Sequence, residues 1–365
     1  MKGNQEETIG SPKKPLSSYL LKAGGVVLLV AMAIAGVLAY DTFYGGNEFA
    51  GGEQKKTFFV SRRQSFGAIA DSLEAAGIIR DRPLFVFVGK IFTGTDRMQI
   101  GKYEFESGVS NLDIFLSLRE GRGTLTIPVL LPEGSLARRY AARLARTIGI
   151  DSSRYMNLVN NERFARSLGI GRSSLEGYLT PDTYNLAWQQ DEESIIRAQV
   201  GEFWKTYDDT LKQRSREIGF SMHDVVTLAS IIDGEVVLHE EAPRVSGVYH
   251  NRLRKGMLLQ ADPTIQFFVK NGPRRLTYSD LKIDHPYNTY KKKGLPPGPV
   301  NNPGRYAIVA ALFPESHRYF YFVANGRGGH SFTTSYSEHL KYVRQFRRDR
   351  ARRQAAPGSN NSQTK

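Results

Sequence analysis

Two carboxylates, Asp233 and Glu235, interrupt an almost wholly apolar run of the chain at 227–238. An ionised carboxylate loses several kcal/mol of solvation when it is buried without a partner. Such a group therefore accepts hydrogen bonds, lies at the edge of a cleft, or keeps its proton at neutral pH because burial raises its pKa. A protonated carboxyl group is what general acid catalysis requires. The run is therefore a candidate site for acid catalysis.

Helix geometry separates the two acids. At about 100° per residue, Glu235 projects beside an apolar stripe and is flanked by Leu228, Ile231 and Leu238. Asp233 points toward a more mixed face, and residues two apart on a helix do not face each other. The helix therefore offers one catalytic carboxylate rather than a pair that acts on one bond. From this segment alone, a second interpretation stays open, in which Glu235 caps a backbone group or pairs with a downstream arginine.

Length and composition limit the classes of function. The chain has 365 residues, which is enough for two domains, and it has no cysteine. The absence of cysteine excludes disulfides, thiolate metal sites and cysteine nucleophiles. A formal net charge of +14 suits either nucleic acid or an anionic surface, and much of the excess lies in an arginine-rich segment at 344–353.

An uncharged apolar segment at 23–40 is just long enough to cross a membrane as a helix. Lys13, Lys14 and Lys22 precede it, and Asp41 and Glu48 follow it, so the positive-inside rule places a leader of residues 1–22 in the cytoplasm. We therefore predict a single-pass anchor with the rest of the chain outside the cytoplasm, where nucleic acid is not an expected partner. A cleaved signal peptide is the competing interpretation.

The positions of glycine and proline along the chain predict the domain organisation. Residues 41–56 are predicted to be a flexible linker, 57–131 a small α+β module, 132–346 a larger, mainly helical domain with a loop-rich C-terminal half, and 347–365 a basic, disordered tail. Strands are predicted at 56–60, 101–105 and 125–130. Helices are predicted between an N-cap at Ser65 and a C-cap at Gly77, and at 82–92, 112–118, 136–148, 154–160, 192–218, 223–238 and 242–254. The predicted fold class is α+β.

Several short motifs follow one another in the larger domain. They are Leu-Glu-Gly-Tyr-Leu at 175–179, Pro-Asp-Thr-Tyr at 181–184, Leu-Ala-Ser-Ile-Ile at 228–232 leading to Glu235, Asn-Arg-Leu at 251–253, Gln-Ala-Asp-Pro-Thr at 260–264, Tyr-Asn-Thr-Tyr at 287–290, Gly-Leu-Pro-Pro-Gly at 294–298, Asn-Pro-Gly at 302–304, Tyr-Phe-Val-Ala at 321–324 and Gly-Gly-His-Ser-Phe at 328–332. In this order they resemble the YceG/MltG-like family of membrane-anchored endolytic murein transglycosylases. The resemblance extends from about residue 58 to about residue 346.

This resemblance implies both a fold and a reaction. Residues 57–131 would be a LysM-like subdomain, and 132–346 a lytic-transglycosylase-like catalytic domain that needs no cofactor. The implied reaction cleaves the β-1,4 bond between N-acetylmuramic acid and N-acetylglucosamine in peptidoglycan without water. It leaves 1,6-anhydromuramyl ends and terminates the elongation of nascent glycan strands. The implied location is the inner membrane with a periplasmic catalytic domain, and peptidoglycan synthases are candidate partners.

The resemblance also assigns residues. Glu235 matches the second acid of the family's Ala-Ser-Ile-x-Glu-x-Glu pattern and is the expected catalytic acid and base. Asp233 replaces the glutamate usual at the first acid and is the alternative catalytic residue, and Val236 replaces a common hydroxyl residue. The predicted substrate-binding residues are Gln260, Asp262, Thr264, Tyr287, Asn288, Tyr290 and His330.

Each of these assignments has a competing interpretation. Tyr and Asn in loops are as often structural, and Asp262 before Pro263 also suits a turn. The histidines show no HExxH-like spacing, so no metal site is expected. The departures at Asp233 and Val236 leave open a catalytically weak, membrane-anchored peptidoglycan-binding scaffold. A hydrolase is disfavoured because the sequence shows no obvious second acid.

Overall fold

The computed structural model describes residues 16–270, 272 and 274–355 of the chain. Helices and antiparallel strands both occur, which confirms a mixed fold class. The chain divides after Leu125 into two compact units, and each unit has its own hydrophobic core. We call them the first unit and the second unit. This division falls within the strand Thr124–Leu131, and the predicted boundary, after residue 131, is the end of that strand.

The first helix of the first unit, α1 (Leu16–Tyr44), carries the apolar segment. Residues Gly24–Tyr44 contain an 18-residue window with a mean hydropathy of 2.2, and they are long and apolar enough to cross a membrane. The helix extends beyond the predicted span at both ends, and its last turn is helical because Phe43 packs against the core of the first unit. Residues 1–15 of the predicted leader lie outside the described residues.

Residues 41–56 differ from the predicted flexible linker. Strand β1 (Gly46–Asn47) pairs with a short strand, Val109–Ser110, and the side chain of Asn47 is buried. That side chain donates to the Val109 carbonyl oxygen at 2.9 Å and accepts from the backbone N–H of Arg80 at 3.1 Å. Phe49 is also buried in the core. The prediction was wrong because it weighed the glycines and not these two buried side chains.

The rest of the first unit is a small sheet covered by helices. Strands β2 (Lys55–Val60) and β3 (Gly101–Glu106) are antiparallel, and β4 is Val109–Ser110. Ser65 caps the first of the covering helices, as predicted, by accepting from the N–H of Ala68. These helices are α2 (Phe66–Ala75), α3 (Arg82–Phe92) and α4 (Asn111–Glu120), and the first two residues of β5 (Thr124–Leu131) extend the sheet beside β3.

The second unit is mainly helical. The remainder of β5 pairs antiparallel with β6 (Asp182–Ala187), and β7 (Tyr321–Ala324) pairs with β8 (His330–Thr333). Its helices are α5 (Ala137–Ile148), α6 (Ser152–Val159), α7 (Glu162–Ser167), α8 (Glu192–Thr206), α9 (Asp209–Glu217), α10 (Met222–Glu235), α11 (Ala242–Arg254), α12 (Asp262–Phe268), α13 (Tyr278–Lys282), α14 (Arg305–Leu312) and α15 (Tyr336–Ala355). Helix α10 lies at the centre of the core of the second unit, since every side chain from Val225 to Asp233 is buried.

Two predicted helices are shorter in the structure. The predicted helix 192–218 is two helices, because Asp208 leaves the helical conformation and its side chain accepts from the N–H of Leu211 at 2.9 Å to start α9. Helix α10 ends at Glu235 and not at residue 238. Val236 is extended, with φ −93° and ψ 143°, which suits its β-branched side chain. Glu235 is therefore the last residue of a buried helix.

The C-terminal segment is also more ordered than predicted. Helix α15 continues to Ala355, well past the predicted start of the tail at residue 347. Arginine, glutamine and alanine are good helix formers, and the prediction considered only their charge. Residues 356–365 lie outside the described residues.

Candidate active site

Helix α10 delivers Glu235 to a fixed position. The helix starts with a capping box between Ser221 and Asp224, and in its middle Ser230 binds the loop at 300–301. The Ser230 hydroxyl accepts from the N–H of Val300 at 2.9 Å, and its carbonyl accepts from the Asn301 amide at 2.9 Å. Ser230 thereby joins the helix to the wall of the cleft that Glu235 faces.

Gly234 allows another chain segment to approach the acid. A Cβ atom added at Gly234 would lie 2.6 Å from Cγ of Pro263, which no side chain could tolerate without a shift. Pro263 stands in the first turn of α12, directly after Asp262. The glycine between Asp233 and Glu235 thus brings Asp262 close to the end of α10.

The carboxyl group of Glu235 is held in its neutral form more readily than usual. Burial, and to a smaller extent the nearby charge of Asp262, raise its pKa from 4.5 to about 7. The hydroxyl of Tyr249 donates to Oε1 at 3.1 Å and partly offsets these effects by stabilising the carboxylate. A carboxyl group with this pKa can both donate and accept a proton near neutral pH.

Two cavities meet at Glu235 and Asp262. The first has a volume of about 390 Å³ and the second a volume of about 410 Å³, and these two acids line both of them. The first cavity is also lined by Gly134, Leu136, Arg139, Gly234, Pro263, Gln266, Phe267, Val300 and Asn301. The second is also lined by Arg252, Gln260, Tyr290, Tyr321, Phe322, Val323, Ala324, His330, Tyr336 and His339. A chain-like ligand that occupied both cavities would pass over Glu235.

Asp233 faces elsewhere, as the helix geometry predicts. It is 8% exposed, and its Oδ1 accepts from the backbone N–H of Gly304 at 3.1 Å. Burial raises its pKa to about 6, while the hydroxyl of Tyr306 donates to it and opposes that rise. Asp233 lines neither of the two cavities. Its contacts hold Gly304 and Tyr306, at the start of α14, against α10, which is a structural task.

Four of the predicted binding residues line the second cavity. They are Gln260, Asp262, Tyr290 and His330. The hydroxyl of Tyr290 donates to Oδ1 of Asp262, so these two side chains form one polar group. His330 is held by Glu241, which accepts from the His330 backbone N–H at 3.0 Å and lies 2.8 Å from its Nδ1. This contact fixes the imidazole ring at the cavity wall.

Two other predicted binding residues line neither cavity, and their side chains are buried and already hydrogen-bonded. The Thr264 hydroxyl donates to the Ala261 carbonyl at 2.7 Å, and the residue is 0% exposed. Asn288 is also 0% exposed, and its amide donates to the carbonyls of Leu281 and Ile283. Both residues shape the loops behind the cleft.

Tyr287 lies one layer behind the cleft. Its ring stacks on Phe267 with the ring centroids 4.7 Å apart, and it is Phe267 that lines the first cavity. A role for Tyr287 in binding is therefore indirect, through the position of Phe267.

Two residues near the acid were not predicted as site residues. Tyr249 and Arg252 both come from α11, and Arg252 is buried with its guanidinium donating to the carbonyls of Phe320 and Leu259 at 2.6 Å. Its positive charge favours the ionised form of Glu235. The Asn-Arg-Leu motif at 251–253 was a usable signal for Arg252. Within the described part of the chain, no group of three or more His, Asp and Glu side chains could hold a metal ion.

Asn302 joins the elements that surround the site. It is fully buried, and its side-chain amide donates to the Ser135 carbonyl at 3.0 Å and to Glu176 at 2.8 Å. Its Oδ1 accepts from the N–H groups of Gly177 and Leu179. Glu176 also accepts from the N–H of Ala137 at 3.0 Å, so it caps the start of α5 and is not a second acid of the cleft.

The Asn302→Ala variant is therefore expected to lower the free energy of unfolding by about 3–5 kcal/mol, because it leaves two buried N–H groups unpaired and a small void. Urea denaturation of the full chain in detergent, followed by circular dichroism, measures the loss. Asn185→Ala, at an exposed asparagine of β6, is the matched control and is expected to change stability by less than about 0.5 kcal/mol. Equal losses in the two variants would contradict the central role of Asn302.

Comparisons with known proteins place the chain among relatives. The model of the YceG-like family matches residues 58–345. An endolytic murein transglycosylase of Bacillus subtilis is 32% identical over 295 residues, which cover 76% of this chain and 81% of the relative. One of Streptococcus pneumoniae is 27% identical, over 70% of this chain and 52% of the relative. A crystal structure of a YceG-like protein of Listeria monocytogenes, 29% identical, aligns with a TM-score of 0.56 over 79% of this chain and 99% of that one. The chain therefore belongs to the YceG-like family.

Proposed function

We propose that the protein is an endolytic peptidoglycan lytic transglycosylase. The names of the relatives from Bacillus subtilis and Streptococcus pneumoniae support this reaction. The observation that carries the proposal is the position of Glu235, one carboxyl group with a pKa of about 7 in a wall shared by two cavities. A reaction that uses one group as acid and then as base needs that pKa.

The proposed reaction proceeds through two proton transfers at Glu235. The protonated carboxyl group donates its proton to the glycosidic oxygen, and the bond from C1 of N-acetylmuramic acid to that oxygen breaks. The 6-hydroxyl oxygen of the same sugar then bonds to C1, and its proton passes to the Glu235 carboxylate. The enzyme ends in its starting protonation state, and no water is consumed. A second acid is therefore unnecessary, in contrast to hydrolytic glycosidases.

The neighbours of Glu235 have supporting tasks in this reaction. Tyr249 donates to Oε1 and fixes the carboxyl group in one orientation. Asp262 keeps the pKa of Glu235 high by its charge and is itself oriented by Tyr290. Gln260 and His330 supply polar atoms along the second cavity. Cavities on both sides of the acid support cleavage within a strand, since sugar units would be held on either side of the scissile bond.

The N-terminal helix and the first unit support a role at the membrane. We propose that α1 anchors the protein in the inner membrane, with the second unit in the periplasm where glycan strands are polymerised. The strand–helix–helix–strand order of β2, α2, α3 and β3 supports a LysM-like contact with glycan. Peptidoglycan synthases are natural candidates as partners, since they produce the strands that this enzyme would cut.

Mass spectrometry of the products tests the proposed reaction. The full chain in detergent is incubated with uncrosslinked glycan strands that carry stem peptides. We expect fragments that end in 1,6-anhydromuramic acid, each one water lighter than the hydrolysed fragment. Reducing ends instead of anhydro ends would identify a hydrolase. Sedimentation with murein and no new ends would identify a scaffold, and either outcome would overturn the proposal.

A further inference from the structure

Helix α3 has an apolar face that the described part of the first unit covers only in part. Leu84, Phe87 and Ile91 lie within about 60° of one another around the helix axis. Their side chains are 38%, 50% and 50% exposed. The adjoining face, with Phe85 and Val88, is fully buried in the core. The helix is therefore apolar on both faces, and the outer one needs an explanation because surface helices usually present polar residues there. We call Leu84, Phe87 and Ile91 the outer stripe.

The outer stripe lies beside the end of the apolar helix α1. The ring of Phe43, in the last turn of α1, is 6.3 Å from the ring of Phe87 and 5.8 Å from that of Phe92. The Thr42 carbonyl accepts from the amide of Asn111 at 3.1 Å, which fastens the same turn to α4. The first unit is thus fixed to the end of α1 by packing and by a hydrogen bond.

The length of α1 sets the depth of this contact. Residues Gly24–Tyr44 form a helix of 21 residues, about 32 Å long at about 1.5 Å per residue. The hydrocarbon core of a bilayer is about 30 Å thick. Phe43 therefore lies at the boundary between hydrocarbon and headgroups, next to the exposed Tyr40 and Tyr44. Tyrosine is enriched at this level of membranes.

The polar residues around the outer stripe suit the same environment. Lys90, in the last turn of α3, and Arg97, in the loop that follows, are exposed. Ile100, 39% exposed, is an apolar residue of the same loop. Long basic side chains beside an apolar face are favoured where lipid headgroups meet hydrocarbon, because the charge reaches the anionic phosphates.

We propose that the outer stripe of α3 inserts into the headgroup region of the lipid bilayer that α1 spans. The first unit then lies against the membrane with α3 parallel to its surface, and it does not swing freely on a tether. The lipid is recognised by apolar contact and by the basic side chains, without a specific headgroup. This inference is independent of the chemistry at Glu235.

Spin labelling tests the contact, and the chain suits it because it has no cysteine of its own. Leu84→Cys and Ile91→Cys place a nitroxide on the outer stripe. Val37→Cys, within the apolar span, is the reference for lipid. Thr57→Cys, exposed on the sheet face that α3 does not cover, is the control for water. Each full-length variant is reconstituted in vesicles of phosphatidylglycerol and phosphatidylethanolamine, and collisions with oxygen and with a water-soluble nickel chelate are measured.

We expect the ratio of oxygen to nickel collisions at 84 and 91 to exceed the ratio at 57 several-fold and to approach that at 37. Ratios at 84 and 91 equal to that at 57 would overturn the proposal. Low collision rates with both reagents, together with dipolar broadening, would show a second copy of the chain on the stripe and would also overturn it. The two labelled positions are exposed, so their variants are expected to fold, and retained cleavage of glycan checks this.

Discussion

The Glu235→Gln variant is expected to lower the rate of strand cleavage by at least about 10³-fold. General acid and base catalysis by one side chain contributes about 10²–10⁴-fold to a rate, and here the same group performs both steps. Glutamine has nearly the same shape and still accepts the hydrogen bond from Tyr249, but its amide has no acidic proton to transfer to the glycosidic oxygen. Release of anhydro-ended fragments, followed by mass spectrometry, gives the rate.

Glu240→Gln is the matched control for this variant. Glu240 lies five positions further along the chain in an exposed turn, and it lines neither cavity. Its substitution makes the same chemical change outside the cleft and is expected to leave cleavage within about twofold of the normal rate. Cleavage by Glu235→Gln at the rate of the control would rule out Glu235 as the acid. A comparable loss in Asp233→Asn, with retained folding, would move the catalytic role to the alternative residue.

Thermal stability separates lost chemistry from lost folding in the same variant. The pKa of Glu235 rises from 4.5 to about 7 on folding, so the native state binds this proton more tightly than the unfolded state. That contribution to stability is complete below about pH 4.5 and is lost as pH rises through about 7. Glutamine has no such pH dependence. At pH 8 we expect Glu235→Gln to be more stable than the normal chain by about 1–2 kcal/mol, less than the full shift implies because Glu235 is partly exposed. A lower melting temperature for the variant at pH 8 would contradict this sign.

Much of the fold could be predicted from periodicity and capping residues. Helix α3 and helix α11 have the predicted bounds, and Ser65 caps α2. The errors are at places where a single side chain acts against the pattern. Asp208 divides a long helix because its carboxylate caps the next one, and the extended Val236 ends α10 early. A periodic pattern of apolar residues does not show where a side chain or an extended residue interrupts the hydrogen bonds of a helix.

The candidate site was harder to predict than the fold. Glu235 could be singled out because a carboxylate in an apolar run demands an explanation. The binding residues could not be ranked in the same way, since Thr264 and Asn288 stand in the same loops as Tyr290 and have similar chemistry. Only the fold shows that the first two are buried and that Tyr290 lines the cavity. Tyr249 was missed because its contact with Glu235 joins two helices.

The pH dependence of cleavage is the second large effect that we expect. Because the protonated form of Glu235 starts the reaction, the rate is expected to fall about tenfold for each pH unit above its pKa of about 7. Between pH 7, where half of the enzyme is protonated at Glu235, and pH 9 this amounts to a loss of about 50-fold. Initial rates of anhydro-end formation at low substrate concentration report the pKa of the free enzyme.

The Asp262→Asn variant tests the cause of that high pKa. Asparagine keeps an oxygen that can accept from Tyr290 but removes the negative charge that disfavours ionisation of Glu235. The pKa of Glu235 is therefore expected to fall, and the alkaline limb of the profile to move to lower pH. Glu240→Gln, which removes a charge outside both cavities, is expected to leave the limb in place. Because Asp262 lines both cavities, its substitution also changes the maximal rate. The test is therefore the pH at which the rate begins to fall, and not the maximal rate. An unmoved limb in Asp262→Asn would show that burial alone sets the pKa of Glu235, or that another group titrates.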